Sequence, residues 1–143
     1  MMNVLLAYVS YPATTAAYWE RALRKVSNVK TIGPKLPDRL LTDWNLESMK
    51  APVIPHDISV AMDVDMSSTD LIGEFSPDLY LWVESVPGYF PRNLDLVNCI
   101  KACYLIDTYG SFNWHIEWAK NFDYVFLADL SFVERFRQAG MKA

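Results

Sequence analysis

KACYLID (Lys101–Asp107), FNWHIEWAKNF (Phe112–Phe122), YVFLA (Tyr124–Ala128) and QAGMKA (Gln138–Ala143) decide the fold. The first segment is a buried strand ending in an acid. A glycine turn at Gly110 and an aromatic helix follow, then a short strand, then a final helix. Strand–helix–strand–helix order builds a parallel sheet covered by helices. Ligands of such sheets sit at the carboxyl ends of strands, where Asp107 falls. The segment closes where a further strand is due, so the chain reads as the first half of a two-domain protein.

Upstream, Asn3 to Val9 is a near-continuous apolar run, as for a strand buried on both faces. Ser10-Tyr11-Pro12 turns the chain, and Thr14 or Thr15 is placed to cap a helix. In that helix Ala16, Trp19, Leu23 and Val26 form the apolar stripe, with Glu20, Arg21, Arg24 and Lys25 outside it. Val29 to Ile32 is a second strand closed by Gly33-Pro34. Residues 35–67 carry three prolines and no steady period, with a brief helix expected around Leu40, Leu41, Trp44 and Leu46. A connection this long is a functional loop or an insertion folded over the sheet edge.

Ser67 or Ser68 is expected to cap a short helix through Leu71, Ile72 and Phe75. Leu79 to Val83 is the third strand, Lys101 to Ile106 the fourth and Tyr124 to Ala128 the fifth. The aromatic helix spans Asn113 to Phe122, with Trp114, Trp118 and Phe122 on one face. Ser131 and Glu134 form a capping box for the last helix, and Gly140 suits its left-handed exit. The fold class is α/β: a three-layer sandwich around a mostly parallel five-stranded sheet, in one domain of 143 residues. The expected order sets the first strand centrally between the second and the fourth, with the crevice beside the loops after the first and fourth strands.

Composition narrows the chemistry. Between Asp43 and Glu84 there are nine carboxylates and one cation, Lys50, which disfavours a phosphate backbone as partner. The formal charge is −4. Cys99 and Cys103 have no second pair near them, so a structural zinc site is not expected and a reducing cytosol fits best. The amino terminus lacks a basic flank, and no run is long enough to cross a bilayer. No GxGxxG follows the first strand, and GxxxxGK[ST], GxSxG and HExxH are absent. No cofactor is expected.

The remaining polar residues gather at predicted carboxyl strand ends: Ser10 and Tyr11, Glu84 and Ser85, Asp107 and Thr108, and Asp129. His115 lies near Asp107 in sequence. A carboxylate and an imidazole at such a mouth can bind sugar hydroxyls or move a proton. Glu84, Asp107 and His115 are the catalytic candidates. Ser10, Tyr11, Ser85, Tyr89 and Thr108 are the substrate-binding candidates. Each has a plainer role open to it. Asp107 suits a cap, Glu84 a local ion pair, and His115 a buried ring satisfied by a carbonyl beside the tryptophans. Trp114 and Trp118 read as core. Tyr89 and Phe90, in a Gly/Pro loop, suit a ligand contact or a hydrophobic tuck.

DLYLWVES (78–85), GYFPRNL (88–94), KACYLIDTY (101–109), WHIEWAKNFDYVFLAD (114–129) and VERFRQAG (133–140) together resemble the amino-terminal domain of spore-maturation (CgeB-like) glycosyltransferases. A looser likeness runs through Asn3 to Ile32, DRLLTDWNLE and PHDI. The resemblance implies half of a GT-B architecture, two Rossmann-like domains facing across a cleft. It implies that this half shapes the acceptor side, inactive alone, while a carboxyl-terminal partner domain binds most of a nucleotide-sugar donor without metal. Glu84, Asp107 and His115 would face the cleft. A small-molecule or protein acceptor, and self-association through the exposed domain face, follow from the same resemblance. A non-catalytic binding module of the same fold is the other reading. A receiver- or flavodoxin-like domain fits the topology but lacks the acidic pocket or phosphate loop.

Overall fold

The computed structural model describes residues 1–68, 70–86 and 88–143. The strands are β1 (Asn3–Ala7), β2 (Asn28–Gly33), β3 (Ile58–Ser59), β4 (Leu79–Val83), β5 (Ile100–Leu105) and β6 (Tyr124–Leu127). The helices are α1 (Ala16–Leu23), α2 (Asp38–Asp43), α3 (Thr108–Ala119) and α4 (Val133–Gln138). The sheet has six strands in the order β3-β2-β1-β4-β5-β6, every pair parallel. The fold is a Rossmann-like α/β sandwich.

Two expectations about the sheet are corrected. The neighbour of β1 is Leu79–Val83, not Lys101–Ile106. LYLWV is apolar throughout and its last four residues are buried, which demands a central place. KACYL carries Lys101 and Tyr104, both half-buried, and sits one step outward. The sixth strand is β3, a two-residue edge piece from the PHDIS segment that pairs with the end of β2. Residues 35–67 therefore do fold back over the sheet edge.

Handedness assigns the helices to faces. The β1–α1–β2 crossover runs one way along the sheet and the β5–α3–β6 crossover the other, so right-handed connections put α1 and α3 on opposite faces. Packing agrees. Val4, Leu6, Tyr8, Leu81, Val83 and Ala102 meet Ala16, Trp19 and Leu23 of α1. Leu5, Ala7, Trp82, Cys103 and Leu105 belong to the larger core, with Ala119 of α3 and Phe136 of α4. Trp82 touches Trp118 and Phe122, and Phe90 stacks among Trp82, Trp114 and Trp118.

Several local expectations shift. The aromatic helix starts at Thr108, so Gly110 lies in its first turn and not in a loop. Among the described residues no helix forms at Leu71–Phe75, where turn bonds run from Leu71 N–H to Ser68 and from Phe75 N–H to Ile72; residue 69 of the expected helix lies outside the described residues. Asp129, not Ser131, is the cap near the last helix. Its carboxylate accepts from the Ser131 N–H and hydroxyl and starts a 3₁₀ turn, after which α4 begins. Thr14 Oγ1 accepts from Ala16 N–H at 3.3 Å, while Thr15 makes no cap bond. Gly140 does take positive φ. The α1 stripe is rotated from expectation. Val26 is exposed, whereas Glu20 is buried, accepting from the Tyr8 hydroxyl at 2.8 Å and pairing with Arg24 at 2.8 Å. Arg24 continues to Asp57, which also accepts from the backbone and hydroxyl of Thr31.

Next to Asp57, the His56 ring lies edge-on to Tyr8 with centroids 4.5 Å apart and both nitrogens buried. Burial pushes its pKa below the ordinary 6.5, and the carbonyls of Pro34 and Tyr8 oppose this only in part. Folding therefore favours the neutral ring. The stability it contributes is complete above 6.5 and declines as pH falls below that value. The denaturant midpoint is expected to drop between about pH 8 and pH 5, and His56→Phe to flatten that drop. An equally steep drop in His56→Phe would assign it elsewhere.

Candidate functional site at the carboxyl ends of the central strands

The order reverses at β1, whose outgoing chain goes to β2 on one side while β4 lies on the other. This switch point opens a crevice outside the carboxyl ends of β1 and β4. It is flanked by residues 8–15, 84–86 and 106–110. The sequence had placed the crevice beside the loops after the first strand and after Lys101–Ile106; both loops flank it, and the loop after Leu79–Val83 joins them.

Glu84, the first residue after β4, organises the crevice. Its Oε2 accepts the Ile106 N–H at 2.6 Å. The same oxygen lies 3.0 Å from His115 Nε2, at ion-pair distance but outside linear hydrogen-bond geometry. His115 Nδ1 is 3.2 Å from the Thr108 hydroxyl. A carboxylate offers only acceptors, which favours a proton on Nε2 and leaves Nδ1 to accept from Thr108. Thr108 and His115 are both 0% exposed. The helix pitch explains the meeting: Thr108 and His115 are seven apart in α3, two turns along one face. Glu84 thereby ties the ends of β4 and β5 to α3.

In front of this buried assembly sit Tyr11, Ser85 and Asp107. The Ser85 hydroxyl accepts the Val9 N–H at 2.9 Å, and the Ser85 carbonyl accepts the Tyr11 hydroxyl at 3.2 Å. Burial pushes the Tyr11 phenol upward; a hydrogen bond with Thr14 opposes it, and the weaker Asp107 and Glu84 charges add to the rise. Asp107 is exposed at the N-cap position of α3 but does not cap it. Among the described residues no side chain or backbone N–H donates to it.

The structure thus brings Glu84, His115, Thr108, Tyr11 and Ser85 together, with Asp107 at their rim. Three binding candidates are corrected. Thr108 is 0% exposed with its hydroxyl 3.2 Å from His115 Nδ1, behind the rim. The Ser10 hydroxyl donates to the Ile54 carbonyl at 2.6 Å and is buried, because Ser10 bridges to Lys35 and holds the 50–55 segment. Tyr89 is 1% exposed and belongs to the larger core. Phe90, its neighbour, keeps an exposed edge. Asp129 is spent on Ser131. The sequence missed Tyr109. It follows Asp107 and Thr108 and is 91% exposed. A large aromatic on the outer side of the first helical turn was the available signal.

Beside Tyr11 lies a cavity of about 30 Å³, lined by Ser10, Thr14 and Ile54 among others. A larger cavity of about 570 Å³ occupies the opposite rim, before β4 and β5, between Met66–Pro77 and Leu96–Asn98. Glu74 is the only ionisable group in its described lining, so the clustered chemistry lies at the switch point. Among the described residues no group of three or more His, Cys, Asp or Glu could hold a metal ion. Among the described residues no helix is long and apolar enough to cross a membrane.

The fold and this rim define a Rossmann-like α/β domain with a polar switch-point crevice. No family model, curated protein or solved structure matches the chain.

Proposed function

We propose that the chain is the acceptor-side domain of a two-domain, GT-B-type glycosyltransferase, and that its crevice holds a hydroxyl-rich ligand which the chain alone does not convert. The observation that carries this reading is the unpartnered Asp107 carboxylate at the crevice rim, backed by the Glu84–His115–Thr108 assembly. A carboxylate is acceptor-only and suits the hydroxyls of a sugar. The exposed Tyr109 ring and the Phe90 edge offer apolar surface for a sugar's C–H face. The donor's diphosphate would be met chiefly by a partner domain, through helix N-termini and basic side chains.

The burial of His115 favours a second reading, a binding module without chemistry. Its two nitrogens face Glu84 and Thr108, so no substrate proton comes within its reach unless α3 moves. In both readings Glu84 and His115 position the loops, and Asp107 and Tyr11 meet the ligand. The reading frame past Ala143 separates them: a second Rossmann-like domain supports the enzyme, a stop codon the module.

Titration of the chain with a panel of free monosaccharides and of UDP- and GDP-sugars tests the site. Weak saccharide binding is expected, reduced at least about tenfold by Asp107→Asn, with no turnover of any nucleotide sugar. Binding that is indifferent to Asp107→Asn contradicts the site. Turnover by the 143 residues alone contradicts the division of labour.

A further inference from the structure

Residues 51–56 run from the 3₁₀ turn at Leu46–Met49 to β3, past the outgoing ends of β1 and β2. Their side chains divide between two hollows. Pro52 and Ile54 line the cavity of about 30 Å³ with Tyr8, Tyr11 and Ala17. Val53, Pro55 and His56 line a second, of about 400 Å³, with Lys35, Leu41 and Ser59. Space therefore lies on both flanks of a segment with little to hold it. Among the described residues, 51–56 make no backbone–backbone hydrogen bond. One bond, from the Ser10 hydroxyl to the Ile54 carbonyl at 2.6 Å, ties them to the end of β1. Few bonds and few buried contacts mark a segment that opens ahead of the rest of a domain.

The two ends of this segment are pivots of different kinds. Asp57 is clamped: its carboxylate accepts from the Thr31 N–H and hydroxyl and meets Arg24 at 3.1 Å, and its own N–H donates to the Thr31 hydroxyl. At the other end Lys50 holds a φ of 50°, a conformation uncommon outside glycine.

His56 seats the segment between them. Its ring lies edge-on to Tyr8 and close against Gly33, whose missing Cβ leaves the room. Both ring nitrogens are buried and neither has an aligned partner. A neutral ring tolerates that seat. An imidazolium would carry its charge there without water and without a matched acceptor. The surrounding charges do not relieve this. Glu20 and Asp57 are held by Arg24 at 2.8 and 3.1 Å, and the Tyr8 hydroxyl is spent on Glu20. Lys35, which shares the larger cavity, is a like charge paired with Asp38 at 3.0 Å.

We propose that residues 51–56 are a hinged strap across the outgoing ends of β1 and β2, latched by the neutral His56 ring and released when that ring takes a proton. Release joins the two cavities beside Tyr11 and frees the Ser10 hydroxyl. The latch is independent of what the crevice binds.

Relaxation-dispersion NMR of the Val53 and Ile54 methyls in the full chain, with His56 ring shifts recorded alongside, tests it between pH 7.5 and 5.5. His56 is expected to titrate below its ordinary 6.5. The open population of the strap rises with that titration, by at most about tenfold over the range for one proton. Signals of β1 and β4 stay in place, so the opening is local. His56→Gln and His56→Phe leave the open population flat with pH, and the glutamine variant decides if the larger phenylalanine ring disturbs folding. Ser10→Ala raises the open population at every pH and keeps its pH dependence. An open population that holds still while His56 titrates overturns the proposal. So does one that still rises in His56→Gln, one unmoved by Ser10→Ala, a His56 midpoint at or above 6.5, or a strap that opens only together with β1 and β4.

Discussion

Gly33→Ala is expected to destabilise the domain by at least about 3 kcal/mol, a large part of the roughly 5–15 kcal/mol a domain of this kind has. Gly33 ends β2 where it runs closest to the outgoing end of β1. The Tyr8 N–H bonds the Ile32 carbonyl at 3.2 Å, and the next residue lies directly against the Tyr8 carbonyl. A Cβ on Gly33 would stand inside the van der Waals envelope of that oxygen and 2.8 Å from His56 Nε2. Neither group is the free end of a flexible side chain. Relief needs the two strands to part where Tyr8, Val9 and Ser10 lead to Tyr11. The substitution should therefore lower the urea midpoint and remove saccharide binding together. A Gly33→Ala protein with the wild-type midpoint would mean the strands do not approach this way.

Glu84→Ala has the second largest expected effect, about 2–4 kcal/mol of stability. One carboxylate oxygen holds the Ile106 N–H at 2.6 Å and faces the wholly buried His115 at 3.0 Å. Alanine leaves a backbone donor and an imidazole nitrogen in a nearly dry place with no acceptor, and that desolvation cost dominates over the lost packing. Glu84→Gln keeps an acceptor for Ile106 and should cost about half as much. The loops after β4 and β5 are joined through this contact, so ligand binding should fall even though Glu84 lies behind the rim. Urea denaturation of the three proteins checks the order. Glu84→Ala within about 0.5 kcal/mol of wild type would show that the carboxylate holds nothing.

Much of the fold was legible because apolar runs carry their own placement. VLLAYV and LYLWV have no polar face to offer solvent, so both had to be interior strands. What they do not encode is which of them is the other's neighbour. A strand buried on both faces presents the same surface to any partner, and burial of the flanking Lys101 and Tyr104 decided the order only once the sheet was assembled. β3 escaped notice because two residues between prolines and polar groups leave no period to read. Glu20 escaped because helical spacing alone placed it outward. The Tyr8 hydroxyl and Arg24 make its burial affordable, and neither pairing is visible along the chain.

The site was legible in kind and less so in detail. Acids after apolar strands marked Glu84 and Asp107, and the strand-end rule placed both at one rim. That Glu84 would turn inward to His115, thirty-one positions later, depends on where α3 begins. Its start at Thr108, ahead of the expected Asn113, sets the helix rotation that buries the imidazole. Tyr89 and Phe90 share one loop signal, yet one ring is buried in the core and the other stays partly exposed against Trp114 and Trp118. Sequence context is the same for both, and only the loop's path separates them.

Amide chemical-shift mapping of the isotope-labelled chain during saccharide titration tests the central claim most directly. The account predicts that perturbed amides cluster at Tyr11, Glu84–Val86 and Ile106–Gly110, and that Asp107→Asn abolishes them. Perturbations gathered instead at Met66–Pro77 and Leu96–Asn98, on the opposite rim of the sheet, would contradict it.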